Sequence, residues 1–190
     1  MLHKFILKGV TYTLRPVNDL DANFILKLRC NPKLNKFINP TKKNLTIQLG
    51  WLQNYYQRNN DFYFVIEENK SKQKHGLVAL YEINFKKKTA EWGRWIVKEG
   101  SLSATESALL IFKFAFEKMK MKRIYSRVVI LNKKVVSFQD SLEIKKIKIL
   151  KNYFNYRGKK VNSIEHTMTS KDYLRVKEKL AKLSRILINR

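Results

Sequence analysis

The hydrophobic residues of this chain recur either at every second position or at spacings of three and four, and these two patterns predict strands and helices respectively. The strand pattern covers 11–17, 61–68, 75–85, 89–97 and 123–130, followed by two closing strands on either side of a turn at Arg157 and Gly158. Helical spacing begins after Asn18 and covers 47–57, 103–119, 131–142 and the tail from residue 172. The order β-α-α-β-β-β-α-β-α-β-β-α predicts an α/β domain with a mixed sheet.

Two helix starts carry the pattern of a capping box, in which a short polar side chain and an acidic residue three positions later satisfy free backbone N–H groups. Asn18 with Asp21 opens the first helix, and Ser103 with Glu106 opens the helix over 103–119. We expect Pro32 to end the first helix, because proline cannot continue one.

A chain of 190 residues with 44% hydrophobic residues is long enough for one domain with its own core. No apolar run approaches the ~20 residues of a membrane helix, and the N-terminus lacks a signal-peptide pattern, so we expect a cytoplasmic protein. Cys30 has no second cysteine to pair with, and His3, His75 and His166 lack the spacing of metal ligands. Neither a disulfide nor a metal site is therefore expected.

The 40 Lys and Arg residues against 15 Asp and Glu residues give a formal net charge of +25. Such a charge attracts nucleic acid, anionic membranes and phosphorylated metabolites. The lysines are spread along the chain in twos and threes, which is also typical of a lysine-rich proteome whose solvated surfaces carry the excess. Charge alone leaves both interpretations open.

The junction between the strand 89–97 and the helix 103–119 is the candidate binding feature. A strand that leads through a glycine turn into a helix presents free N–H groups and the positive end of the helix dipole, which suits a phosphate or pyrophosphate. Gly100 can adopt positive φ, and Ser101, Ser103 and Ala104 are small enough to let an anion approach. The alternative is a well-capped helix with no ligand.

The segments EWGRWIV (91–97), ALLIFKFAFE (108–117), KRIYSRVV (122–129) and LNKKVVSFQDSL (131–142) resemble the GCN5-related N-acetyltransferase (GNAT) family over roughly residues 10 to 169. The resemblance implies an acetyltransferase domain over 1–169, with a mixed, centrally splayed sheet flanked by helices and acetyl-CoA as cosubstrate between the fourth and fifth strands. Residues 170–190 follow as an extra C-terminal helix, basic and amphipathic. The branch that acetylates amino sugars of nucleotide-sugar precursors for surface glycans is most similar, and enzymes that acetylate ribosomal-protein N-termini are more distantly so.

The resemblance also implies which residues bind the cofactor, because the turn after the fourth strand binds the pyrophosphate in this family. The implied cofactor-binding residues are Trp95, Ile96, Val97, Gly100, Ser101, Ser103, Ala104, Thr105, Asn132, Lys134 and Ser137. The chain departs from the family pattern at Gln139, near where a tyrosine often protonates the leaving thiolate. It departs again at Glu143, where a glycine usually ends the helix.

Acetyl transfer needs a base, and Glu91 is the first candidate, with Glu82 on the neighbouring strand as the second. The alternative for each is a surface carboxylate paired with lysine. The N–H groups of residues 95–97, exposed by the splay, are candidates to stabilise the oxyanion. We assign no role to His75, which we expect to be solvated at a hairpin edge.

Arg94 and Trp92 are the candidate acceptor-binding residues, Arg94 through its planar fork for a phosphate and Trp92 as a stacking surface or as core. Regular strand alternation places Trp92 and Arg94 on one face, and Trp95 with Glu91 and Gly93 on the other.

The expected partner is a small-molecule amine, a nucleotide-linked sugar before a protein N-terminus. A hypothesis of another class is a non-enzymatic nucleic-acid-binding domain, in which aromatic residues of 148–160 stack on bases; the alternative for that segment is a closing hairpin. The apolar stripe of the tail comprises Tyr173, Val176, Leu180, Leu183 and Leu187. Its spacing favours contact with protein, within the chain or in a homodimer, over an anionic membrane.

Overall fold

The computed structural model describes residues 3–188 and confirms an α/β fold with a mixed sheet flanked by helices. The predicted domain (1–169) and the predicted C-terminal helix (170–190) each extend beyond the described residues, by residues 1 and 2 and by residues 189 and 190. The strands are β1 (Leu7–Lys8), β2 (Tyr12–Pro16), β3 (Phe62–Glu68), β4 (Lys74–Asn84), β5 (Thr89–Val97), β6 (Arg123–Val129), β7 (Lys145–Tyr156) and β8 (Lys159–Thr169). The helices are α1 (Ala22–Arg29), α2 (Leu45–Tyr56), α3 (Ser103–Lys113), α4 (Lys133–Ser141) and α5 (Ser170–Ile188).

The predicted strands and helices are present, and the sequence patterns missed β1, whose two residues are too few to show a period. A short 3₁₀ turn (Asp19–Asp21) leads into α1, and α3 continues as a π-helical segment (Phe114–Lys118).

The strands form one sheet in the order β1-β2-β3-β4-β5-β6-β8-β7. Neighbouring strands are antiparallel except β5 and β6, which are parallel. These two pair only from Thr89 to Glu91 and from Arg123 to Tyr125, although β5 runs on to Val97 and β6 to Val129. The sheet therefore splays at its centre, as the resemblance implied.

Two irregularities in the pairing of β4 with β5 change the direction of side chains next to the splay. The register shifts between Leu77 and Ala79 and between Tyr81 and Asn84, and positive φ values occur at Arg94 (46°) and Glu82 (50°). Such bulges insert an extra residue and turn the following side chains to the other face. The regular alternation expected for β5 is therefore wrong beyond Gly93.

Helices cover both faces of the sheet. One core cluster joins the sheet to α3 and α5 and includes Trp92, Phe112 and Leu180. The other joins the sheet to α1 and α2 and includes Leu52 and Tyr63. The splay thus opens between two packed layers, which hold its edges in place.

The C-terminal helix docks on the domain, which is the intramolecular alternative for its apolar stripe. Tyr173, Val176 and Leu180 are buried in the same cluster as α3, and the Tyr173 ring stacks on Phe116 with centroids 4.7 Å apart. Leu183 remains 41% exposed at the flank. None of the described helices is long and apolar enough to cross a membrane.

Of the two expected capping boxes, the structure contains one. Asn18 and Asp21 form both reciprocal hydrogen bonds. The box at Ser103 and Glu106 is wrong, because Glu106 instead accepts hydrogen bonds from the backbone N–H groups of Val10, Thr11 and Tyr12 in the β1–β2 turn. A buried carboxylate is more fully satisfied by that turn than by one N–H at its own helix start.

Candidate active site

The splay opens into a cleft of ≈ 800 Å³ that extends from β5, β6 and α4 to the loop between α1 and α2. Of the predicted site residues, those that line it are Glu91, Trp92, Arg94, Trp95 and Asn132. Glu82, Ile96, Val97, the turn 100–105, Lys134 and Ser137 do not line this cleft. The structure therefore brings together the predicted base, the predicted acceptor-binding residues and part of the predicted cofactor site.

Glu91 is buried at the point where β5 and β6 part. Its Oε1 accepts a hydrogen bond from the Tyr81 hydroxyl at 2.9 Å, and its Oε2 lies 2.7 Å from a guanidinium nitrogen of Arg127. Burial raises the pKa of Glu91 to about 7, although Tyr81 and Arg127 both favour the carboxylate. A carboxyl group that is half-ionised near neutral pH is suited to accept a proton from an amine.

Glu82, the second candidate base, lies close to Glu91 but outside the lining of the cleft. Its side chain is 55% exposed and accepts hydrogen bonds from Tyr125 and Arg127. Through Arg127 it belongs to the same charged network as Glu91, so its charge acts on Glu91 without facing the cleft.

Arg94 does not point to the face expected for it. Both of its terminal nitrogens bind Asp61, at 2.7 and 2.9 Å, and its guanidinium lies 4.4 Å from the centre of the Tyr81 ring. The bulge at Arg94 places it on the face of Glu91 and Tyr81. Since the buried Asp61 carboxylate neutralises it, Arg94 contributes shape and a cationic edge more than free charge.

The two tryptophans of β5 share a face, contrary to the expected alternation. Their rings are 5.4 Å apart, Trp92 packs against Phe112, and Trp95 packs against Phe138 of α4. The Trp95 indole N–H also donates to Ser107 at 3.2 Å. Trp92 is 3% exposed and belongs to the core, whereas Trp95 forms part of the cleft wall.

The turn after β5 has the predicted backbone but an additional partner. Gly100 has φ of +77°, with open space where a side chain would begin. The Ser101 hydroxyl accepts from the N–H of Ser103 at 3.1 Å and lies 2.8 Å from Nδ1 of His75. The expectation of a solvated His75 is wrong: the ring is half-buried, and burial together with Lys98 lowers its pKa.

Because Ser101 occupies the N–H of Ser103, the free N–H groups of this turn are those of the first helical positions that follow. An α-helix leaves its first N–H groups without intrahelical acceptors, so Ala104 and Thr105 stay the candidates for binding an anion here. Ser103 itself is fully buried. The turn can still bind a pyrophosphate, but it offers fewer free N–H groups than the sequence indicated, because the N–H of Ser103 is taken.

Helix α4 forms the other wall of the splay through Asn132, Val135 and Gln139, which lie on one stripe. Gln139 is fully buried, its Oε1 accepts from the Ser126 hydroxyl at 3.0 Å, and its Nε2 has no hydrogen-bond partner among the described residues. Lys134 and Ser137 are exposed on the opposite side of the helix.

The end of α4 confirms the need for positive φ at Glu143, which has φ of 55°. The N–H groups of Glu143 and Ile144 close the last turn on Asp140 and Gln139, as in a Schellman motif. The Glu143 carboxylate pairs with Arg175 and Lys179 of α5, which accounts for an acidic residue at a glycine position.

Sequence reasoning missed three parts of the site: Tyr81, Arg127 and the buried Asp61. Each is far in sequence from the group it binds, by 10, 36 and 33 residues respectively. The available signal was Arg127 itself, a cation directly before the apolar residues Val128 and Val129 of β6.

Comparisons with known proteins agree with this geometry. A family model described as an acetyltransferase (GNAT) domain matches residues 12–142. The chain belongs to the GNAT family. No curated protein sequence matches it.

Among solved structures, the apo form of FdhC, described as a nucleotide-linked sugar GNAT, has 30% sequence identity and a TM-score of 0.79, over 95% of this chain and 99% of that one. The spermidine N-acetyltransferase of Vibrio cholerae in complex with CoA and spermine has 24% identity and a TM-score of 0.78, over 87% of this chain and 99% of that one. The second similarity shows the fold alone.

This GNAT enzyme is an acetyl-CoA-dependent N-acetyltransferase, and its splay fits the cofactor. Beyond Glu91 the edge of β5 that faces β6 has no strand partner, so those backbone N–H groups over 95–97 that point away from β4 are free to bind an oxygen of the thioester. Trp95 on one side and Asn132 and Val135 on the other would hold the extended arm. The first turn of α3 would bind the pyrophosphate.

Proposed function

We propose that this enzyme acetylates an amino group on a nucleotide-linked sugar. The observation that carries the proposal is the charge of the cleft lining. Its cationic side chains are Arg29, Lys42, Arg58, Arg94 and Arg127, whereas Glu91 is its one carboxylate. Asp61 pairs with Arg58 and Arg94, and Glu91 itself pairs with Arg127, so among the described residues the positive charge left for an acceptor is that of Arg29 and Lys42.

This charge separates the two acceptor classes named for the structural neighbours. A polyamine carries several positive charges and needs carboxylates to replace its water, while a nucleotide-linked sugar carries a negative diphosphate. The formal net charge of +25 acts in the same direction over a longer range. A cationic lining therefore favours the nucleotide-linked acceptor and opposes spermidine.

The aromatic lining suits the neutral parts of the same acceptor. Phe37, Trp51, Tyr153 and Phe154 line the cleft. Sugar rings and bases pack on aromatic faces, and the hairpin β7–β8 supplies two of these side chains. The aromatic residues of 148–160 thus face a small-molecule cleft, which supports the closing-hairpin interpretation of that segment.

In the proposed reaction Glu91 accepts the proton that the acceptor amine loses. Acetyl-CoA supplies the acetyl group as a thioester, whose C–S bond breaks as the new amide C–N bond forms. Tyr81 and Arg127 hold the Glu91 carboxylate in place, and burial keeps its proton affinity near that needed at neutral pH. The free N–H groups of β5 stabilise the negative charge that develops on the carbonyl oxygen.

An acetylation assay over a panel of acceptors tests the proposal. The panel contains nucleotide-linked amino sugars, the corresponding free amino sugars, spermidine, and peptides with ribosomal-protein N-termini. We expect turnover of a nucleotide-linked amino sugar with a KM at least tenfold below that of the free sugar. Turnover restricted to spermidine or to peptides overturns the proposal.

A further inference from the structure

Arg29 lies at the end of α1 and lines the cleft. It brings a positive charge there without a carboxylate partner among the described residues. Its Nε donates to the Thr41 hydroxyl at 2.7 Å and its Nη2 to the Asn39 carbonyl at 3.1 Å, and both acceptors are neutral. Within residues 3–188 no carboxylate lies within ion-pair distance of it. The other arginines of the lining are all paired, Arg58 and Arg94 with Asp61, and Arg127 with Glu91.

Tyr63 supplies a second unsatisfied group beside it. The side chain is 1% exposed and lines the same cleft, its hydroxyl oxygen lies beside the Arg29 guanidinium, and its O–H has no acceptor among the described residues. Burial raises the pKa of Tyr63, and the nearby charge of Arg29 offsets part of that rise. The hydroxyl is therefore a protonated donor, and a buried donor without an acceptor is unfavourable, which makes it a site for a ligand oxygen.

The loop between α1 and α2 encloses these two groups. The Arg29 hydrogen bonds fix it to α1, the Cys30 thiol lies 3.5 Å from the Thr41 carbonyl, and Phe37 stacks on Tyr156 of β7 with ring centroids 5.5 Å apart. Lys42 projects from the same loop into the cleft lining. A ligand beside Arg29 is thus bordered by this loop on one side and by the buried Tyr63 on the other, and the reduced contact with water strengthens its interaction with a cation.

The sheet fixes how far this corner lies from the base. Tyr63 pairs with Ala79 and Ala79 with Gly93, while Glu91 lies two residues further along β5 on the same face. Two strand spacings and two residue rises give roughly 12 Å between the Cα atoms of Tyr63 and Glu91. With their backbones this far apart and both side chains on one face, a single acceptor can extend from an anion held at the corner to the carboxylate.

We propose that Arg29, the Tyr63 hydroxyl and Lys42 form an anion subsite that binds the diphosphate of the acceptor and so directs its amine to Glu91. The choice of a diphosphate rests on the proposed function. The subsite itself rests on a guanidinium without a carboxylate partner and on a buried hydroxyl without an acceptor for its proton, both within the described residues.

Binding is measured by calorimetry on the full chain saturated with CoA, so that the cofactor's own pyrophosphate site is filled. The probes are UDP and inorganic pyrophosphate. We expect Arg29→Gln to weaken UDP binding at least tenfold and Tyr63→Phe by about threefold to tenfold, with CoA binding unchanged. Lys27→Gln is the matched control, because Lys27 is exposed on the same helix outside this cleft.

The outcomes separate the subsite from the proposed function. UDP that binds equally to the wild type and to Arg29→Gln, or that does not bind the CoA-saturated chain, overturns the subsite. Binding that depends on Arg29, together with no turnover of any nucleotide-linked amino sugar, retains the subsite and rejects the function. Should Arg29→Gln fail to fold, the isosteric Tyr63→Phe variant and Lys42→Gln decide in its place.

Discussion

At the scale of single residues, Glu91 shows how environment selects one carboxylate out of fifteen acidic residues. Glu82 and Glu91 lie close together on adjacent strands and share Arg127. They differ in burial, since Glu91 is enclosed at the splay whereas Glu82 is exposed. Desolvation penalises a buried negative charge, which raises the pKa of Glu91 to about 7 and makes it the better candidate for the base.

Glu91→Gln should lower kcat about 100-fold to 10,000-fold, because the amide cannot accept a proton. In the wild type kcat/KM should fall as the pH drops below about 7, since Glu91 is a base only when ionised. Initial rates from pH 5.5 to 9 measure both effects. A variant that keeps the wild-type acidic limb would show that another group is the base.

The charges next to Glu91 should move this acidic limb in opposite directions. Glu82→Gln removes a negative charge that raises the pKa of Glu91, so the limb should shift to lower pH with kcat nearly unchanged. Arg127→Gln removes a positive charge that lowers that pKa, so the limb should shift to higher pH. Shifts of the same sign in the two variants would contradict the network described here.

At the scale of elements, the β5 bulge and the C-terminal helix α5 both make contacts that hold the domain together. The bulge turns Arg94 towards Asp61 at the start of β3, which ties β3 to β5 across the sheet. Helix α5 completes the core over α3. Both features stabilise the edges of the splay rather than its chemistry.

Arg94→Met should destabilise the fold by about 3 kcal/mol, because the buried Asp61 is left with only the half-exposed Arg58 as partner. The double variant Asp61→Asn with Arg94→Met should cost less than the sum of the two single variants, since no buried charge remains. Urea unfolding of the four proteins measures the cycle. Additive costs would mean that the pair is not coupled.

Leu180→Ala should cost about 2–5 kcal/mol, because Leu180 of α5 is fully buried in the cluster with α3. Leu174→Ala on the same helix is the matched control, as Leu174 is 64% exposed and should change stability by less than about 0.5 kcal/mol. Thermal melts compare them. Equal effects would argue that α5 does not dock as described.

At the scale of the whole molecule, the excess of positive charge affects how an acceptor reaches the cleft. The +25 net charge and the cationic lining have the same sign, so they attract anionic ligands together. Under the proposed function, the net charge of the whole molecule and the charge of the cleft would both favour an anionic, nucleotide-linked acceptor.

Raising the ionic strength from 0.05 to 1 M should increase the KM for a nucleotide-linked amino sugar several-fold with little change in kcat, because salt screens charges beyond a few ångströms. The KM for a neutral peptide or free amino sugar, where turnover is measurable, should change far less. Steady-state kinetics in potassium chloride test this. A KM for the nucleotide-linked acceptor that is independent of salt would contradict electrostatic attraction.

Much of the fold and part of the site could be predicted from the sequence. The order of strands and helices, the Asn18 cap and the positive φ at Gly100 follow from local patterns. Glu91 was a correct choice for a cleft carboxylate, because its strand carries the family motif. The Ser103 and Glu106 box failed because a distant turn offers Glu106 more N–H groups than its own helix does.

The sequence by itself determined the secondary structure and the family, because apolar spacing, caps and motif residues act over a few neighbouring positions. Only the tertiary structure decided the environment of Glu91, the pairing of Arg94 with Asp61 and the open corner at Arg29 and Tyr63. Those groups meet across strands and loops that are 10 to 36 residues apart along the chain. A single bulged residue in β5 was enough to reverse the face of Arg94, and periodicity carries no record of such a bulge.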